Sequence, residues 1–177
     1  MAVTFDANAT AAAHNNPVSQ LDSTALTVGS GSNRALVVQV AIGEGTPTIT
    51  SVTWDQGAST QACTLISSSI NGSLARVYLY GLVNPISGNK TLRVVISTAQ
   101  EIFLSATSFD GVDQTGGSTS FVAATPTSGT STAPSITIPS ASGNMTIDVV
   151  GGPEVISAPT QTSNFIENGG STTSAAS

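Results

Sequence analysis

Short runs in which apolar residues alternate with small or polar residues recur along the chain, and they constrain its fold more than any other feature. Successive side chains of a β-strand point to opposite faces, so a period of two indicates a strand. In ALVVQVAI at residues 35–42, both alternating sets are apolar except for Gln39. We therefore predict a central strand there, buried on one face and nearly buried on both.

Eight further runs repeat this pattern, at residues 49–55, 62–69, 74–82, 90–98, 101–109, 119–125, 134–140 and 144–152. Turn-forming steps such as Asn71-Gly72 and Asn84-Pro85 lie between them. The one helix-tolerant stretch, residues 9–15, lacks an apolar stripe and is predicted to be a loop. Short strands at this spacing predict an all-β fold, an antiparallel β-sandwich of the jelly-roll or immunoglobulin-like type.

The alternation stops near residue 152, and this divides the chain into two parts. Residues 1–152 are predicted to form the β-sandwich domain, and residues 153–177 an irregular or weakly anchored C-terminal segment. A chain of 177 residues can remove about 70% of its extended-chain surface from water, so one large domain can hold a substantial core. We expect strands near residues 36–42 and 92–96 to form its centre.

Charged residues are few and mostly acidic. Only 8% of residues are charged, against about 25% in typical soluble domains. Ten acidic and four basic residues give a net charge of -6, so neither nucleic acid nor a membrane is an expected partner. The N-terminus lacks the basic and apolar regions of a signal peptide. We expect the chain to stay in the cell that makes it, or to leave without a cleaved leader.

Two carboxylates three residues apart, in FLSATSFDGVDQTGG at residues 103–117, are the first candidates for a site. Asp110 and Asp113 follow a predicted strand, and an Asp-Gly step suits a tight turn whose carboxylate accepts backbone N–H groups. Calcium needs six or more oxygen ligands, whereas this loop supplies two carboxylates and no following Glu. We interpret the pair as a turn and keep a weak cation site as the alternative.

No other residues form a recognisable catalytic or metal-binding pattern. His14 is the single histidine and Cys63 the single cysteine, and no serine lies in a GxSxG elbow. We interpret His14 as a surface-loop residue and Cys63 as a small buried hydrophobe on a strand. The sequence therefore predicts no catalytic residue, no cofactor and no metal site, and we expect a protein that is not an enzyme.

Aromatic residues are the remaining candidates for a contact surface. Trp54 ends a predicted strand and is expected in the core between two sheets. Tyr78 and Tyr80 share one face of their strand with Arg76, which indicates that this face is at least partly open to solvent. We expect these two tyrosines to be the better candidates for contact with a partner, including a glycan.

Six phrases of the sequence, spread over residues 2–152, form a series: VTFDA, GSGSNRALVVQVAIG, SVTWDQGA, ARVYLYGLVNPISGNKTLRVVIS, SATSFDGVDQT and GNMTIDVV. Together they resemble a recurrent, mostly uncharacterised all-β module of bacterial and phage proteins, regarded as an immunoglobulin-like or jelly-roll sandwich. The resemblance implies the fold and carries over no catalytic residues.

Modules of this kind usually continue for two more strands after the GNMTIDVV position, one of them with a tryptophan, whereas this chain ends in STTSAAS. A sandwich without its closing strands would expose a long edge, and with one lysine in the chain little charge protects it from pairing. Two alternatives follow. Either the edge pairs with a neighbouring subunit, or the given sequence stops short of the natural C-terminus.

Two hypotheses of function result. The first is a non-enzymatic structural protein of a virion, a phage capsid decoration (cement) or fibre component on the particle exterior, made in the host cytoplasm. Its partners would be identical subunits and a major capsid or other virion protein, and residues 153–177 would contact a neighbour or lie disordered. The second is a secreted or cell-surface adhesion or carbohydrate-binding module, located outside the cell.

Overall fold

The regular structure of this chain consists almost entirely of β-strands. The computed structural model describes residues 2–13, 16–57, 59–130 and 135–152, and the backbone of residues 165–168 and 171–175. The strands are β1 (Thr4–Ala12), β2 (Val18–Asp22), β3 (Leu26–Val28), β4 (Ala35–Ile42), β5 (Ile49–Trp54), β6 (Gln61–Ala62), β7 (Thr64–Asn71), β8 (Ala75–Val83), β9 (Gly88–Lys90), β10 (Leu92–Gln100), β11 (Ile102–Asp110), β12 (Ile147–Val149), β13 (Phe165–Asn168) and β14 (Ser171–Ala175). A 3-10 turn, Gly117–Ser120, follows β11.

Ten of the first eleven strands, all except β7, pair like one long hairpin that wraps around itself. β1 pairs with β11, β2 with β10, β3 with β9, β4 with β8 and β5 with β6, all antiparallel. Three more antiparallel pairings complete the sheets: β11 with β4 and β10 with β5 join successive turns of the hairpin, and β7 pairs with β8. The result is a five-stranded sheet, β1-β11-β4-β8-β7, and a four-stranded sheet, β2-β10-β5-β6. The predicted antiparallel β-sandwich is confirmed.

The hydrophobic core lies between these two sheets. From the five-stranded sheet, β4 contributes Leu36, Val38, Val40 and Ile42, all at most 2% exposed, and from the four-stranded sheet β10 contributes Leu92, Val94 and Ile96. The prediction that these two strands form the centre is therefore confirmed. Every residue of β4 is buried, so the prediction of a strand buried on both faces is confirmed as well. We call the face of the five-stranded sheet toward this core the inner face, and the opposite one the outer face.

The outer face is buried because a later part of the chain crosses it. β12 contacts β4 and β8, and the side-chain amide of Gln39 donates a hydrogen bond to the backbone carbonyl of Asp148. Gly151 lies so close to the sheet that a Cβ atom there would stand 2.6 Å from Val77 Cγ1. We call residues 145–151 the covering segment.

Polar side chains occupy the middle of the covered outer face. Gln39, Ser105 and Thr107 are each at most 1% exposed, and Ser105 lies directly opposite Gln39 on the neighbouring strand. Among the residues that the structure describes, the hydroxyl oxygens of Ser105 and Thr107 have no hydrogen-bond partner. Buried polar atoms without partners cost stability.

The N-terminal strands are the main elements that the alternation did not predict. β1 includes residues 9–12, so the prediction of a loop there was wrong. Its inner-face residues are Ala7, Ala9 and Ala11, which pack against the core. Alanine carries little hydrophobic contrast against Thr or Asn, so the period of two in TFDANATAA is weak. His14, predicted to lie in a surface loop, is outside the described residues.

Two of the strands predicted after β11 are not found in the described residues. Residues 119–125 contain the end of the 3-10 turn and no strand, and residues 135–140 are also not a strand. Within the segment predicted to be irregular, β13 and β14 pair with each other, and β14 pairs with β12. The division at residues 152 and 153 stays a prediction. No helix within the described part of the chain is long and apolar enough to span a membrane.

A candidate site at the Asp110 to Asp113 turn

The turn after β11 is built from backbone contacts with the loop before β4. Gly111 adopts a left-handed conformation, φ 74°, which residues with a Cβ rarely adopt. Its N–H donates to Ser32 O at 3.3 Å, and the N–H of Val112 donates to Asn33 O at 3.0 Å. The chain therefore turns at the Asp-Gly step as predicted, but Asp110 Oδ1 accepts no hydrogen bond from the described residues, so the predicted bond from nearby backbone N–H groups to that oxygen is not found.

Asp113 is occupied by its own turn. Its Oδ1 accepts hydrogen bonds from the N–H and from the hydroxyl of Thr115, both at 2.9 Å. The backbone bond, with the hydroxyl bond next, lowers the pKa of the Asp113 carboxyl below its ordinary value. This is the side-chain to backbone arrangement expected of a turn aspartate, and it confirms the interpretation of Asp113 as a turn residue.

Asp110 differs, because one of its oxygens lacks a partner. Its Oδ1 is buried without a hydrogen bond from any described residue. The carboxylate packs on Gly31, where a Cβ atom would lie 2.4 Å from Oδ2. The nearby Asp6 is satisfied separately, since its Oδ2 accepts from Gly29 N at 2.9 Å and from Ser108 Oγ at 2.7 Å.

A surface cleft adjoins this turn. It has a volume of about 310 Å³ and is lined by Val3, Asn33, Gly111, Asp113, Gly143 and Asn144. Across residues 2–13, 16–57, 59–130 and 135–152, no three His, Cys, Asp or Glu side chains come together in a way that could hold a metal ion. The cleft therefore offers polar oxygens but not the ligand set of a calcium loop.

The aromatic candidates are buried. Trp54 is fully buried and donates from Nε1 to Ile86 O at 3.0 Å, which confirms the expectation of a core tryptophan. Tyr78 and Tyr80 are only 8% and 9% exposed and belong to the core. The prediction that they form a contact surface was therefore wrong.

The error came from the position of Arg76. Arg76 lies on the same strand face as the two tyrosines, but that face is not exposed to solvent at the tyrosines. It is at the start of β8, where its guanidinium reaches past the end of the sheet. There Nε donates to Gly45 O at 3.2 Å and Nη2 to Gly72 O at 3.1 Å. A charged residue at a strand end says little about the residues further along the strand.

Cys63 lies between β6 and β7 and packs against the core. Burial raises the pKa of its thiol to about 12, so the thiol is protonated at neutral pH and a poor nucleophile. Cys63 is only partly buried and lies just outside a strand, so its predicted position on a strand was wrong. Its packing against the core fits the predicted small hydrophobe.

A polar corner beside Trp54 was not predicted. Asp55 has φ 56°, and its carboxylate accepts from Lys90 Nζ at 2.9 Å and from Gly57 N at 3.1 Å. The hydrogen bond from Lys90 is the main cause that lowers the pKa of Asp55. The step Trp-Asp-Gln-Gly signals a turn, but the partner Lys90 lies 35 residues away and has no local signal.

Comparison with known proteins adds no relative to this description. No family model, curated protein or solved structure matches the chain. The resemblance to a bacterial and phage module therefore stays a prediction, and the function must be argued from the fold and surface.

Thermal unfolding is expected to have the same midpoint in buffer and in excess EDTA. The reason is that Asp113 and Asp6 already accept hydrogen bonds from the protein. Asp110 therefore has no second free carboxylate beside it with which to bind a cation. The measurement is the midpoint by circular dichroism, with and without added calcium. A midpoint that rises with calcium concentration, and no longer rises in Asp110→Asn, would instead make this turn a cation site.

Proposed function

We propose that this chain is a non-enzymatic structural protein of a virion, acting on the particle exterior as a capsid decoration or fibre component. The observation that carries the proposal is the nested pairing of β1 with β11, β2 with β10, β3 with β9 and β4 with β8. This wrapping of one long hairpin over two sheets favours the jelly-roll type of sandwich. Jelly rolls form many viral capsid domains, and also lectin domains.

Because a fold alone does not assign a function, properties of the surface are needed to distinguish a capsid role from a lectin role. All four basic side chains are engaged within the chain. Lys90 and Arg93 form ion pairs with Asp55 and Asp22, at 2.9 and 2.7 Å. Arg34 donates to three oxygen atoms of nearby residues, one of them Pro85 O at 3.1 Å, and Arg76 is held as described above. Within the described residues, no Lys or Arg side chain is left without a partner in the chain, which supports a partner surface without strong negative charge.

The alternative is a secreted or cell-surface adhesion or carbohydrate-binding module. Its main support was the expected exposure of Tyr78 and Tyr80, and both side chains are buried. Sugar-binding sites present exposed aromatic rings, whereas Trp54, Tyr78 and Tyr80 fill the core. Of the aromatic side chains that the structure describes, Phe5 alone is exposed, at 50%. One isolated ring is a poor platform for a glycan, so the virion role is the better supported of the two.

The proposal predicts that the chain is present in purified particles. Peptide mapping by mass spectrometry of gradient-purified virions should find it, with a phage replication enzyme as the negative control. Deleting residues 153–177 should reduce its incorporation while the far-UV spectrum stays that of a β protein. Absence from particles, together with recovery from the cell surface or the medium, would contradict the proposal and favour the adhesion module.

A further inference from the structure

The two faces of the five-stranded sheet differ in composition, although both are buried. At the middle of β4 and β11 the inner face carries aliphatic side chains such as Val38 and Leu104. The outer face carries Gln39, Ser105 and Thr107 at the same level. Polar side chains at alternate positions are typical of a sheet face that contacts water. The middle of the outer face therefore has the composition of a solvated surface, although the chain covers it.

Covering the outer face deprives buried polar groups of hydrogen bonds. Within the described residues, the hydroxyl oxygens of Ser105 and Thr107 have no partner. A buried polar atom without a partner is less stable than a hydrated one, and water would reach both hydroxyls if the cover moved away. Hydration therefore favours uncovering this face, whereas uncovering the inner face would expose aliphatic side chains to water at a cost.

The covering segment lies on the sandwich as a separate layer. Its strand, β12, pairs with β14 and belongs to a three-stranded sheet with β13, not to either sheet of the sandwich. Each of the residues 145–151 is partly exposed, although Gln39 of the sheet below donates a hydrogen bond to Asp148 O. Removing this layer would therefore break no strand pairing of the two main sheets.

A long exposed connection joins the sandwich to the covering segment. Between the 3-10 turn, which ends at Ser120, and β12, which begins at Ile147, the described residues include no strand and no helix. From residue 122 to residue 144, all of the described residues except Ala124 and Ile138 are exposed. The entropy of closing a loop changes slowly with its length, so a connection of this kind restrains the covering segment little.

We infer that the covering segment opens and closes over a sandwich that stays folded. In the closed state it buries the outer face, and in the open state Gln39, Ser105 and Thr107 are exposed to solvent. Proteins open locally in units whose free energies of opening lie below that of global unfolding, and a layer outside the main sheets is such a unit. The outer face is thus a surface that the molecule can present or conceal without unfolding.

Thiol labelling at neighbouring positions of β11 tests this inference. Ser105 and Ala106 are both 0% exposed and lie on opposite faces of the strand. In a Cys63→Ser background, Ser105→Cys should react with a maleimide about 100-fold faster than Ala106→Cys, because opening of the covering segment exposes residue 105 while residue 106 waits for the two sheets to separate. Equal labelling rates overturn the inference.

Three controls make the labelling result specific. Val94→Cys, at a 0% exposed position of β10, is a second inner-face variant in which the new side chain is smaller than the old one, and it should label as slowly as Ala106→Cys. Ser128→Cys, at an exposed position of the connection, gives the rate of an unprotected thiol. Labelling of Ser105→Cys at that rate would mean that the outer face is not covered in solution, and it also overturns the inference. Urea unfolding of each variant gives the rate that global unfolding alone would produce, so a merely destabilised variant is recognised.

The dependence of labelling on urea provides a second test. The effect of urea on an opening reaction scales with the surface that the reaction exposes. Labelling of Ser105→Cys should therefore rise only weakly with urea below the unfolding transition, whereas labelling of Ala106→Cys should rise with the full slope of global unfolding. Equal slopes would show that residue 105 becomes accessible only in the unfolded chain, which contradicts the inference.

The inference goes beyond the proposed virion role and does not depend on it. Labelling is measured on the purified chain, whereas the virion role is tested by peptide mapping of particles. If the chain is found in particles and the two faces of β11 label equally, only the opening of the covering segment is wrong. If the faces label differently and the chain is absent from particles, only the virion role is wrong.

Discussion

Replacing Trp54 with alanine is expected to lower the free energy of unfolding by about 3 to 5 kcal/mol, the range for buried aromatic residues. Trp54 is fully buried between the two sheets. The substitution removes its ring and also leaves Ile86 O without the Nε1 donor, which adds the cost of an unpaired carbonyl. Urea unfolding followed by circular dichroism measures the loss as a lower midpoint with an unchanged slope.

Two controls make this result specific. Trp54→Phe keeps much of the ring and loses the hydrogen bond, so its cost should be smaller than that of alanine. Phe5→Ala removes an aromatic ring that is 50% exposed and should cost roughly 1 kcal/mol or less, as expected for a position outside the core. If Trp54→Ala costs no more than Phe5→Ala, Trp54 does not lie between the sheets.

Replacing Thr107 with valine is expected to stabilise the protein by about 1 to 2 kcal/mol, because a buried hydroxyl without a partner costs stability. Thr107 is 1% exposed, and its Oγ1 has no hydrogen bond from the described residues. Valine has nearly the same shape, so the change removes the hydroxyl without opening a cavity. The measurement is again the free energy of unfolding in urea.

β11 offers a matched pair of controls on its two faces. Ser105 and Ser108 are both fully buried. Ser105 Oγ has no partner in the described part of the chain, whereas Ser108 Oγ donates to Asp6 Oδ2 at 2.7 Å and accepts from Ala7 N at 3.2 Å. Ser105→Ala should therefore stabilise and Ser108→Ala should destabilise. Loss of stability in both Thr107→Val and Ser105→Ala would mean that ordered water satisfies these hydroxyls.

Local chemistry could be predicted from the sequence, and long-range contacts could not. The period of two marked β4 because each of its alternate residues is strongly apolar. The turn at residues 110–115 was predictable because an Asp-Gly step and the hydrogen bonds that Thr115 donates to Asp113 involve only near neighbours. The same stretch gave no sign that Asp110 packs on Gly31, since that contact depends on where another loop lies.

The errors have the same origin. Arg76 suggested a solvent-exposed face for Tyr78 and Tyr80 because a sequence does not show where a strand meets the opposite sheet. The covering segment was predicted as one more alternating strand, although its position on the outer face follows from the pairing of distant strands. In the same way, the exposure of Leu65 and Ile70 on β7 follows from the position of that strand at the edge of the five-stranded sheet, which a sequence does not show.

The nested pairing of strands has a consequence for the order in which the chain folds during synthesis. β1 pairs with β11, and Thr4 lies opposite Asp110, so the sandwich cannot close until more than half of the chain has left the ribosome. Topologies dominated by such distant contacts fold slowly. The hairpin of β7 and β8, joined by a short turn at residues 72–74, needs no distant partner. It can therefore form before the strands that pair over long distances have all been synthesised.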